Sequence, residues 1–174
     1  MATTHPFPTP VHESPRLVPL LMAATMPIAI GGLVAMHGSS ASPLFAVPAV
    51  VFGVTAVTSP ALYIAMAATG SAPPLAAVVR AFGVAIGAFG VALAGLLLPV
   101  AFLSLSAVSG STTFAVASTA IIGAGVCGMQ RLRHEMQAAR PLSLSSEIVF
   151  AAWACATAGI AGRMWWDLAR EVLS

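Results

Sequence analysis

The chain has 174 residues, of which 59% are hydrophobic and 7% charged, with a formal net charge of +2. A soluble domain carries about 25% charged residues, so a mean hydropathy of +0.97 excludes a water-exposed surface of this size and predicts an integral membrane protein. The small charge, with no basic cluster interleaved with aromatics, excludes nucleic acid as a partner.

The apolar runs are long and continuous, unlike the roughly ten-residue alternating segments of a β-barrel. The predicted class is therefore all-α, a polytopic transmembrane helical bundle of about five spans. Residues 1–15, MATTHPFPTPVHESP, predict a Pro-rich polar N-terminal tail of extended character. It lacks the basic n-region of a signal peptide. Residues 16–174 read as a single transmembrane helical domain.

The first span is predicted near 17–36, with Pro27 and the Gly31-Gly32 pair inside it. The second lies near 43–69 and contains Pro48 and Pro60. The third, near 74–105, is too long to stand upright in about 30 Å of hydrocarbon. It must tilt, kink at Pro99 or continue beyond the bilayer. The fourth and fifth are placed near 113–131 and 146–166. A span needs about 20 apolar residues, and about 17 suffice.

The short connections HGSSAS, GSAPP and SAVSGST predict sequential helices packed side by side and antiparallel. QRLRHEMQAARPLSLSS is longer. Its first half lacks helix breakers and should extend helix four until Pro141 stops it. Ser145 or Ser146 is then the expected N-cap of helix five, with Glu147 favourable in its first turn. Within this loop MQRLRHEMQAAR is weakly amphipathic, with Met129, Leu132 and Met136 on one side. It suits anchoring at the lipid surface, or docking of an acidic partner.

Every basic residue is arginine. Five spans put the termini on opposite sides. One side then carries Arg16, Arg80, Arg131, Arg133 and Arg140, the other Arg163 and Arg170. The bias predicts N-in/C-out. Arg80, Arg131, Arg133 and Arg140 are expected as interface anchors, Arg80 by snorkelling. Trp165 and Trp166 are expected in the outer interface belt, beside an i,i+4 Arg163–Asp167 pair. Ala-, Val- and Gly-rich composition without lysine points to a bacterial inner membrane.

No Asp, Glu, Lys or His falls at a midplane position, which argues against pumps and proton-coupled transporters. Internal repeats of the inverted-transporter kind are absent too. Small residues are plentiful instead. Gly83, Gly87, Gly90 and Gly95 on helix three, Gly123 on helix four, and Ala158 and Gly162 on helix five are the expected helix-packing positions. They serve packing within the bundle, contact with another subunit, or both.

No cofactor or metal is expected. His37 and His134 end opposite sides of the membrane and cannot share a haem, while His5, His12 and His134 lack ligand spacing. His37 remains the sole candidate ligand for a pigment or a haem shared with a partner. Cys127 and Cys155 differ in depth by roughly 7 Å at about 1.5 Å rise per residue, so no disulfide is expected. There is no GxSxG or HExxH, and the chain does not read as an enzyme.

Three stretches carry a family likeness: SPALYIAMAATGS, the long span ending LLLPVAFLSLS, and a span ending in glycine before a basic turn, followed by a last span ending in tryptophan. With Pro60, Leu62, Gly70, Pro99, Gly128 and Trp165 as matching positions, residues 59–166 resemble bacterial five-span proteins of the Yip-like kind. The resemblance implies a compact five-helix membrane bundle with a role in membrane organisation or in support of larger complexes.

The expected function is thus a non-catalytic accessory or scaffold subunit of a membrane assembly. Its partners would be membrane lipids and other membrane subunits, or further copies of itself. One alternative is an oligomeric small-molecule channel or transporter lined by Thr113, Ser118 and Thr119 of helix four. The other is a pigment- or haem-bearing redox subunit using His37.

Overall fold

The structure, a computed structural model, describes residues 17–36, 41–107, 109–139 and 143–173. The Pro-rich tail, Arg16, His37, Arg140 and Pro141 lie outside these residues. The described residues form five α-helices: α1 (Leu17–Ala35), α2 (Ser42–Ala68), α3 (Leu75–Ser106), α4 (Gly110–Ala139) and α5 (Leu144–Leu173). Each is long and apolar enough to cross a membrane.

Local chemistry explains the ends. Pro43 sits in the first turn of α2, where its missing N–H removes no helical bond. Helix α2 closes on Gly70 at φ +66°, a left-handed conformation that glycine adopts without a Cβ clash. There Ser71 N–H donates to Met66 O (3.0 Å) and Gly70 N–H to Ala67 O (2.9 Å), pairing the last carbonyls. Ser109 caps α4 by accepting from Thr112 N–H at 3.4 Å. Ser143 caps α5 by accepting from Ser146 N–H at 3.3 Å. The α5 cap thus lies earlier than the expected Ser145 or Ser146, and Glu147 keeps its place in the first turn. Helix α4 runs on to Ala139, as the breaker-free loop sequence predicts.

Four prolines lie inside helices without ending them: Pro27 in α1, Pro48 and Pro60 in α2, and Pro99 in α3. A proline leaves the carbonyl four residues earlier without its helical donor. For Pro60 that carbonyl is Ala56 O, and the Ser59 hydroxyl donates to it at 3.3 Å. Side chains supply such lost bonds where water is scarce.

Cross-helix pairs give the directions. Gly31 meets Pro43, so α1 and α2 are antiparallel. Gly87 meets Pro19 and Gly90 meets Ala23, so α1 and α3 are parallel. Gly128 meets Ala85 and Gly123 meets Leu96, so α3 and α4 are antiparallel. Trp153 reaches Thr58 while Ser42 reaches Glu171, which makes α5 antiparallel to α2. The chain alternates direction at every loop.

Neighbour order departs from the expectation. Helix α2 packs chiefly on α1 and α5 rather than on α3, although only residues 69–74 join α2 to α3. The glycines of α3 admit α1 at closer range, and α1 takes the place the loop length suggested for α2. One apolar cluster, including Ile30, Val34, Val47, Leu93 and Ala117, fills the end where α1 meets α2. A second, with Leu62, Met66, Val78, Leu132, Met136 and Phe150, fills the opposite end.

Candidate functional site

Two arginine systems tie the helices together at the end where α3 and α5 begin. Glu147 of α5 accepts from Arg133 of α4 through Nε and Nη2, each at 3.1 Å. Gln137, one turn further along α4, adds a donor at 2.8 Å. A planar guanidinium and a carboxylate fit in this two-point way. Glu135 takes Arg131 at 2.8 Å on its own helix and reaches Arg80 of α3 only at 3.9 Å. Of the arginines expected as lipid anchors, Arg80 thus links α3 to α4 and Arg133 links α4 to α5. At the other end Arg163 and Asp167 form the expected i,i+4 pair at 3.4 Å.

The two inward tryptophans dock α5. Trp165 stacks on Phe114 of α4, with centroids 5.2 Å apart, and its indole N–H donates to Ser118 Oγ at 2.9 Å. Its ring thus faces α4 and is half-buried, while its neighbour Trp166 is exposed, with Arg170 over its ring at 5.8 Å. Trp153 was not singled out from sequence. It meets Phe82 edge-on at 6.0 Å and donates its N–H to Thr58 O of α2 at 2.7 Å. The signal was present: an indole N–H deep in an apolar helix requires an acceptor on a neighbouring helix.

The small-residue positions divide into two groups. At Gly90 an added Cβ would lie 2.5 Å from Ala23 Cα and 2.8 Å from its Cβ; at Gly87 it would lie 3.0 Å from Pro19 Cβ. At Gly128, also among the small residues that mark helix four in the sequence, an added Cβ would lie 3.2 Å from both Ala85 O and Phe89 Cβ of α3. At Gly123 an added Cβ would be in ordinary van der Waals contact with Leu96, at 3.9 Å. Gly83, Gly95 and Gly162 would meet nothing within 4 Å. On α5, Ala151, Cys155, Ala158 and Gly162 form one exposed row, with Ala152, Ala156 and Gly159 alongside. This face uses none of its small residues within the bundle.

The hydroxyls expected as a polar stripe on helix four do not share a surface. Thr113 is fully buried, Ser118 is engaged by Trp165, and Thr119 is exposed and bonded to its own Ala115 O at 2.9 Å. Among the described residues no group of three His, Cys, Asp or Glu side chains could hold a metal ion. Cys127 and Cys155 are free thiols on the exposed surface. No protein-family model, curated protein or solved structure matches the chain, so the functional reading rests on this geometry.

Proposed function

We propose that the protein is a non-catalytic accessory or scaffold subunit of a membrane assembly, seated N-in/C-out in a bacterial inner membrane and docking a neighbouring subunit on α5. One observation carries this reading: the exposed α5 face built of Ala151, Cys155, Ala158 and Gly162 with Ala152, Ala156 and Gly159. Between membrane helices, association draws on close packing, because lipid tails are as apolar as the side chains they touch. Small residues allow that approach, and the interior contacts draw on Gly31, Gly87, Gly90 and Gly128 instead. The Yip-like resemblance implies the same class of role. The division of Thr113, Ser118 and Thr119 among core, helix contact and exposed surface gives a homo-oligomeric pore no continuous polar lining.

The test is gentle purification of a tagged full-length chain from its own membranes, with identification of what accompanies it. A defined set of membrane subunits is expected, and Gly159→Leu or Gly162→Leu should release it. Both positions are exposed and an added Cβ would meet nothing within 4 Å, so the fold should persist. Retention of the full set by both well-folded variants, or recovery of a lone chain from the wild type, would sink the α5 docking reading.

A further inference from the structure

Among the described residues an open groove of about 600 Å³ lies beside the arginine systems at the foot of α1, walled by Leu20 of α1 and by Leu75, Ala76, Val79 and Gly83 of α3, with Arg80 among its lining residues. Apart from the arginine its walls are apolar. The groove runs from Leu75 to Gly83, about 12 Å at the helical rise of about 1.5 Å per residue. Gly83 faces this open space, where an added Cβ would meet nothing within 4 Å.

Among the described residues the positive charge at this place exceeds the negative. Among the described residues the ion-pair partner of Arg80 is Glu135, at 3.9 Å, and Glu135 is engaged more closely by Arg131, at 2.8 Å. The Arg80 side chain is 58% exposed, so an anion can reach it. A guanidinium favours phosphate through paired N–H donors. We propose that this groove binds an acidic phospholipid, its headgroup phosphate on Arg80 and one acyl chain between α1 and α3 against Leu20 and Val79. The inference rests on the chain spanning a membrane and is independent of any partner on α5.

The test compares phosphatidylglycerol with phosphatidylcholine of identical acyl chains. The full-length protein is reconstituted with each, re-extracted in mild detergent, and the retained lipid is read by native mass measurement. Phosphatidylglycerol should be retained about fivefold more, as expected for one basic side chain beside an anionic headgroup. Arg80→Gln should bring that ratio near one. Gly83→Leu, which fills the groove and leaves the charge, should lower phosphatidylglycerol retention as well. Arg163→Gln, at the other end of the bundle, should change neither. Equal retention of the two lipids by the wild type overturns the proposal. So does a loss confined to Arg80→Gln, which would mean charge attraction without a groove, or one confined to Gly83→Leu, which would mean apolar packing without headgroup selection. Alkaline carbonate extraction of the same membranes reports separately on the span reading: release of the chain there would defeat that premise instead.

Discussion

Gly90 of α3 lies so close to Ala23 of α1 that a Cβ on the glycine would stand 2.5 Å from the alanine Cα. The neighbouring atoms are backbone, which cannot turn aside as a flexible side chain would. Gly90→Ala should therefore destabilise the bundle by about 1–3 kcal/mol through overpacking. Gly95 lies on the same helix with nothing within 4 Å of an added Cβ. Gly95→Ala should be neutral, or stabilising by up to about 1 kcal/mol from lower backbone entropy in the unfolded chain. Unfolding of both variants in mixed detergent and SDS gives the comparison, and equal effects would refute the close α1–α3 approach.

Trp153 and Trp165 hold α5 at two levels, one on α2 and one on α4. Trp153→Phe keeps most of the ring contact with Phe82 and Phe150 and removes the N–H that meets Thr58 O. The expected loss is about 1 kcal/mol, within the range of hydrogen bonds between membrane helices. Trp165→Phe should lose less, because its acceptor Ser118 Oγ also donates to Phe114 O at 2.7 Å and keeps that partner. The reverse ranking in SDS unfolding would show that Thr58 O is not the principal acceptor on α5's path.

Thr113 is fully buried, and its hydroxyl has no hydrogen-bond partner among the described residues. A buried donor without an acceptor is a penalty that an apolar side chain of similar shape avoids. Thr113→Val should raise stability by about 1 kcal/mol, read as a higher thermal midpoint in detergent. A lower midpoint would show that the hydroxyl is bonded in the folded protein.

Composition and hydropathy alone determined that the chain is a bundle of five apolar helices, because a stretch of some twenty apolar residues has few other stable forms. Local chemistry also made the continuation of α4 through Leu132 and Met136 and the Arg163–Asp167 pair legible, since each depends on residues a turn or two apart. Which helix touches which was not legible. Loop length suggested α2 beside α3, yet the glycine row at Gly87 and Gly90 admits α1 there, and that choice depends on matching two distant surfaces. For the same reason the contact of Trp165 with Phe114 and Ser118 on another helix was not legible. The sequence marks small residues without saying which are used. Tertiary packing decided that Gly87, Gly90 and Gly128 close the bundle while Ala158 and Gly162 stay open, because each depends on how near another backbone comes.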